Sequence, residues 1–251
     1  MARQRKIGYS EPPAEGTMKI KQLIKPRSEN QRLYYEALKK HTIVFGVGPA
    51  GTGKTFMAVA HALKLLSDGE IERIIITRPI VGNDEDLGFL PGDVDEKMAP
   101  WVRPIKDSVQ EIVGGRSTQK LFADGTIEVC PLGFMKGRTF KNAMVIADEM
   151  SNSTPSQMKN LLTRLGEGSR MVILGDPYQC DLPDHVDDGL TDFLDLHNNY
   201  NGATGGLSVI RLYKKDIIRH ALIPMILDIY DEDDEDEIDI QFEDDLGKLP
   251  N

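Results

Sequence analysis

Gly48-Pro49-Ala50-Gly51-Thr52-Gly53-Lys54-Thr55 lies between an apolar run and a helical one. It matches G-x-x-x-x-G-K-[ST] at every position. Such a run is a phosphate cradle. Its glycines let backbone N–H groups turn inward without a Cβ clash, and those donors meet a polyphosphate together with the N-terminus of the next helix. The cradle is Gly48, Pro49, Ala50, Gly51, Thr52, Gly53, Lys54 and Thr55. Lys54 is placed to reach the β- and γ-phosphates, and Thr55 to offer its hydroxyl to Mg²⁺. The flanks agree. Thr42 to Val47 reads as a buried strand, and Phe56 to Leu66 as a helix stopped at Ser67-Asp68-Gly69. The chain is therefore expected to bind a nucleoside triphosphate.

The 251 residues suffice for one α/β domain with a real core. No run of eighteen apolar residues marks a membrane span, and the basic N-terminus is followed by no apolar signal segment. Cys130 and Cys180 form neither a disulfide framework nor a metal spacing, and read as reduced thiols in the cytoplasm. The net charge of −10 is unevenly spread. Residues 228–251 hold 12 of the 40 acids and only one base, Lys248, which leaves a nearly neutral body. Three regions follow: a loose arm over 1–17, an ATPase domain over 18–230, and a solvated acidic tail over 231–251. The tail reads as a solubility segment or as a competitor for a basic groove.

Ser28 is expected to cap a helix over roughly 29–40. Further strands are expected at Arg73–Thr77, Thr126–Leu132, Ala143–Ala147, Met171–Leu174 and Leu207–Leu212. Helices are expected around 104–113, near 117–123, over Pro155–Leu165 and over His220–Tyr230, and residues 81–104 read as a long loop of the kind that serves function. Apolar strands alternating with helices imply a mostly parallel sheet covered on both faces.

Asp148-Glu149 follows the strand Ala143–Ala147. A carboxylate there sits at the ligand edge of an open sheet. Asp148 suits the Mg²⁺ shell, reached through water, and Glu149 suits the base that orients an attacking water. Gly175-Asp176-Pro177-Tyr178-Gln179 follows the fifth strand, and Gln179 is placed to sense the γ-phosphate or that water.

Several stretches resemble the PhoH family of P-loop ATPases, which is itself similar to the first RecA-like domain of superfamily 1 helicases. They are Pro26 with Asn30-Gln31, the phosphate loop, Thr77-Arg78-Pro79, Leu87 to Gly92, Phe134 to Thr139, Asp148-Glu149, Thr163 to Gly166, Gly175-Asp176-Pro177 with Gln179, and Asp216 to His220. The resemblance spans about 20–230 and implies a single RecA-like α/β domain. It implies that Gln31 reads the adenine edge, that Arg78 touches a nucleic-acid backbone, and that Arg219 stabilises γ-phosphate charge, with Arg164 a weaker candidate. Lys136 and Arg138 are expected to bind phosphates of a single strand. Unwinding by one such domain would need a homo-oligomer, a ring such as a hexamer with sites between subunits. The short length is similar to phage-encoded members, which would place the protein in a host cytoplasm.

Two functions remain open on sequence. One is an ATP- and Mg²⁺-dependent ATPase coupled to single-stranded RNA or DNA. The other is an ATP-gated assembly module with a protein partner and slow turnover. A small-molecule kinase is disfavoured, because Asp148-Glu149 would activate water where a kinase excludes it. Aromatic residues make up only 6% of the chain, so the expected grip on nucleic acid is backbone-directed.

Overall fold

The structure is a computed structural model that describes residue 20 and residues 24–79 and 94–218, with the backbone alone over 94–101. The arm over 1–17, Arg219, the helix expected over 220–230 and the acidic tail lie outside the described residues.

Six strands form one wholly parallel sheet: β1 (Ile43–Val47), β2 (Arg73–Thr77), β3 (Ile127–Val129), β4 (Ala143–Ala147), β5 (Arg170–Gly175) and β6 (Leu207–Arg211). Their spatial order is β3-β2-β4-β5-β1-β6. This is the parallel α/β architecture expected, with β5 lying between the strand that feeds the phosphate loop and the strand that feeds Asp148.

The apolar runs have no polar alternation because both sheet faces are covered. Val44, Ile74, Ile76, Met144, Ile146, Val172 and Leu174 point to one face, under α1 (Glu29–Lys40), α2 (Lys54–Ser67) and α3 (Val94–Val113). Phe45, Ile75, Val145, Met171 and Ile173 point to the other, under α5 (Pro155–Leu162) and α6 (Gly189–Asn198). The two sets alternate along each strand as the pleat requires. A short α4 (Gly115–Ala123) leads into β3.

The helix starts are chemically marked. Ser28 Oγ accepts from the Gln31 amide at 3.2 Å. Thr154 and Gln157 form a reciprocal capping box with Pro155 at the first position. Asp188 accepts from the Leu190 and Thr191 amides.

Four expectations are corrected. The helix expected from 104 begins at Val94 and runs through Pro100 and Pro104. The stripe Val102, Ile105, Val109, Ile112 and Val113 is buried, and that packing outweighs the missing proline donors. The third strand ends at Val129, because Pro131 lacks an N–H and the chain turns into a 3-10 segment at Leu132–Met135. Helix α5 stops at Leu162, where the chain swings to pair Leu165 with Phe140. Helix α6 was not expected at all. Its signals were the Asp188 cap and the spacing of Leu190, Phe193, Leu194 and His197.

His61 on α2 is 3% exposed, and neither ring nitrogen has a hydrogen-bond partner in bonding geometry. Burial pushes its pKa down to about 4, helped by Arg170; the nearby Leu38 carbonyl opposes, and Lys39 and Lys64 add smaller pushes down. The folded ring is thus neutral where an unfolded one, titrating near ~6.5, is charged. Stability is fully present above pH ~6.5 and is lost as pH falls through the window down to about 4, by about 3 kcal/mol in all. His61→Leu is expected to remove that slope and to leave stability at pH 7.5 equal or higher. Urea unfolding at pH 5 and 7.5 checks it.

Candidate active site

The phosphate loop is tied on every side. The Gly48 amide donates to Gly175 O on β5 at 3.1 Å, and the Leu212 amide to Val47 O at 2.7 Å. Thr52 Oγ1 donates to Pro49 O at 2.9 Å. Gln31 Nε2 donates to Thr52 O at 2.9 Å, and the Ile218 amide to Gly51 O at 3.0 Å. Gly48, Gly51 and Gly53 all have positive φ. At Gly48, with φ +137°, a Cβ would lie 2.0 Å from Leu212 O. Gly48→Ala is therefore expected to cost about 3 kcal/mol, combining a backbone clash with left-handed strain. The denaturation midpoint checks it.

Lys54 opens α2 and is only 9% exposed. Its ammonium donates to Gly48 O and, at 2.8 Å, to Pro49 O. The charge is thus held inside the loop's curve. Tyr34, fully buried on α1, donates its hydroxyl to Lys54 O at 3.3 Å. Burial raises the Tyr34 pKa well above its usual value, and the Asp148 charge adds to this, so the group stays a neutral donor.

Thr55 Oγ1 lies 3.2 Å from both Asp148 carboxylate oxygens. Burial pushes Asp148 up to about 6, and Glu149 adds to it. Arg78 and hydrogen bonds from Thr55 and the Glu149 amide pull the other way. A carboxylate this costly to ionise alone suits a neighbouring cation. Among the described residues, no group of three or more His, Cys, Asp or Glu side chains could hold a metal by itself. An ion at Thr55 and Asp148 would thus complete its shell with phosphate oxygens and water.

Glu149 has φ 55° and ψ 41°, a left-handed conformation rare for a side chain of this kind. It begins a 3-10 turn, Met150–Asn152, that is clasped to the loop after β5. Ser151 Oγ donates to Gln179 O at 3.3 Å, Asn152 Nδ2 to Asp181 Oδ2 at 3.3 Å, and the Asp181 amide to Asn152 Oδ1 at 2.7 Å. The turn that follows Glu149 is therefore joined to the loop that carries Gln179, whose side chain is exposed.

Gln31 is 2% exposed. Its Oε1 accepts from the Arg27 amide at 2.8 Å, and its Nε2 also reaches Asp216 O at 3.4 Å. Asp216 was quoted in the sequence without a role. Its Oδ2 accepts from Asn30 Nδ2 at 2.9 Å and from the Tyr213 amide at 2.8 Å. Burial pushes the Asp216 carboxyl up, but hydrogen bonds from Ser28, Asn30 and Tyr213 outweigh it and hold the group below its usual range. Sequence reading also missed Tyr34, Ser151 and Asn152, which carry no motif.

The structure thus gathers Gln31, Gly48 to Thr55, Arg78, Asp148 and Glu149 at the C-terminal ends of β1, β2 and β4. Lys136 and Arg138 lie in the segment between the edge strand β3 and β4. Arg138 is not a free base: Nη1 meets Glu128 Oε1 at 2.5 Å and Cys130 Sγ at 3.1 Å. Arg164 donates to Asn160 O and Arg138 O, beyond the phosphate loop.

Comparison with known proteins bears on this site. A PhoH-like protein of Bacillus subtilis is 46% identical over 208 residues, covering 83% of this chain and 64% of that protein. Protein PhoH of Escherichia coli is 41% identical over 206 residues, covering 81% and 57%. The chain spans about three-fifths of the length of these curated relatives. Among solved structures, Pif1 helicase from Candida albicans is 16% identical, covering 76% of this chain and 40% of that one at a TM-score of 0.35, too loose to transfer any role. The family model for PhoH-like protein matches residues 23–231. With its phosphate loop, Asp148-Glu149 and Gln179 all inside that match, the chain belongs to the PhoH-like protein family.

Proposed function

We propose that this chain hydrolyses ATP with Mg²⁺ and couples hydrolysis to the backbone of single-stranded RNA or DNA, working in the cytoplasm as a homo-oligomer. The observation that carries the proposal is the Thr55 hydroxyl facing both oxygens of Asp148, with Glu149 next in the chain, beside an ammonium held inside a glycine loop. In this reading Lys54 leaves the Gly48 and Pro49 carbonyls for the β- and γ-phosphates. Thr55 and Asp148 hold Mg²⁺, which, when bound, draws charge from the phosphate oxygens. Glu149 orients the attacking water and takes its proton. Gln179 reports the γ-phosphate to the turn at Ser151, and Arg219 neutralises charge developing on it. Gln31 braces the loop through Nε2 and offers its remaining Oε1 lone pair to the adenine amino group. Arg78 and Lys136 meet nucleic-acid phosphates, and Arg138 does so only in competition with Glu128.

The test is the steady-state ATPase rate with and without single-stranded RNA or DNA. Stimulation that disappears in Glu149→Gln supports the coupling. Turnover indifferent to polynucleotide rejects it and favours an ATP-gated assembly module. Binding is also expected to weaken with salt, with a log–log slope of about −0.7 per phosphate contacted. Titration between 50 and 200 mM salt reads this slope, and a flat response would sink the electrostatic grip.

A further inference from the structure

Two stretches of this chain, Pro131–Ala147 and Met150–Gly166, contain no acidic residue, yet they hold Lys136, Arg138, Lys141, Lys159 and Arg164. The fold packs them together. The 3-10 segment Leu132–Met135 lies against α5. The Phe140 amide donates to Arg164 O at 2.9 Å, and Arg164 Nη1 to Arg138 O at 3.3 Å. Lys136 and Lys159 are both exposed on this unit. Glu128, an acid next to Arg138, is occupied by that guanidinium at 2.5 Å and by Arg73 at 3.9 Å. In a chain whose net charge is −10, these two packed stretches therefore carry bases in excess of the one acid, Glu128, that pairs with them.

Phe134 projects from the same 3-10 segment and is 60% exposed. Its neighbours Leu132 and Met135 are buried in the core, so the segment is anchored while this ring is left in water. Gly133 and Gly137 flank it, and a Cβ at either would meet nothing within 4 Å. The backbone beside the ring is thus open to close approach. An exposed phenyl ring on a unit that also carries the exposed Lys136 and Lys159 suits a ligand with alternating flat and anionic parts. Unpaired bases and phosphates supply that pattern, whereas a duplex hides its base faces.

We propose that Phe134, with Lys136 and Lys159, forms a stacking platform for single-stranded nucleic acid, on which one base lies against the Phe134 ring while flanking phosphates meet the two lysines. This rests on the nucleic-acid coupling proposed above and adds a base contact to a grip that composition alone made purely ionic.

The experiment is anisotropy titration of labelled 12-mer oligo(U) and oligo(dT) with the full chain, with far-UV circular dichroism and melting on each variant. Phe134→Ala is expected to weaken binding by about tenfold with the salt slope unchanged. Phe134→Trp should restore it. Lys136→Ala and Lys159→Ala should each lower the salt slope by about 0.7. Tyr200→Ala, which removes a 62% exposed ring outside this surface, should change nothing. Wild-type binding with an unchanged Phe134→Ala overturns the platform and leaves the coupling standing. Losses confined to the lysine variants do the same, since an ionic face alone would hold duplex equally well. A wild-type chain that binds neither oligonucleotide overturns both.

Discussion

Replacing Lys54 with alanine is expected to lower ATP turnover by about 10²–10³-fold, the usual effect of removing one preorganised charge from a developing oxyanion. The geometry sharpens this expectation. The ammonium is already inside the loop, on the Gly48 and Pro49 carbonyls, so it is held close to where phosphate would draw it. Alanine would also leave those carbonyls to water, which reaches this partly open loop, and so stability should change by less than about 1 kcal/mol. Lys54→Arg should fail almost as badly, because a planar fork does not fit the curve that a point charge fills. Parallel kcat and nucleotide-binding measurements decide it. Full activity in Lys54→Ala would remove the loop from the chemistry.

Glu149→Gln is the second large effect. Turnover is expected to fall by about 10²–10⁴-fold, the range for losing a general base, while nucleotide binding stays near wild type. The carboxamide keeps the size of the side chain and the left-handed backbone, so the turn into Met150 should persist. Glu149→Gly makes the complementary point. The left-handed conformation costs a non-glycine residue about 1 kcal/mol. Glycine relieves that strain but gives back a similar amount in unfolded-chain entropy. Stability should therefore hold while activity disappears. Equal loss of binding and turnover in Glu149→Gln would instead make Glu149 a structural residue.

The sheet was legible because β1, β2, β4 and β5 carry unbroken apolar runs, and the loop because its glycines and lysine form a fixed pattern. Helix α3 was not, since Pro100 and Pro104 signalled a break that packing of Val102, Ile105 and Val109 overrode. Around the site, Lys54, Thr55 and Asp148 came together as their motifs implied. Gln31 did not look like a buried brace, because its partners are carbonyls and an amide far away in sequence. Arg138 looked free because Glu128, ten residues earlier, belongs to another element. Phe134 is the same problem reversed. The sequence offered it only as part of the stretch Phe134 to Thr139, and its exposure became visible when the fold buried Leu132 and Met135 around it.

The ties at Thr52 and Gly51 have a mechanical consequence. Gln31 lies in the first turn of α1 and Ile218 after β6, far apart in sequence, yet they hold adjacent carbonyls of the phosphate loop. The loop is therefore a hub between α1 and the segment that follows β6. A shift of its backbone by a fraction of an ångström cannot stay local, because the anchors on either side must follow or release. A change at the phosphates is thus passed straight to α1 and to the segment after β6, with no relay across the sheet.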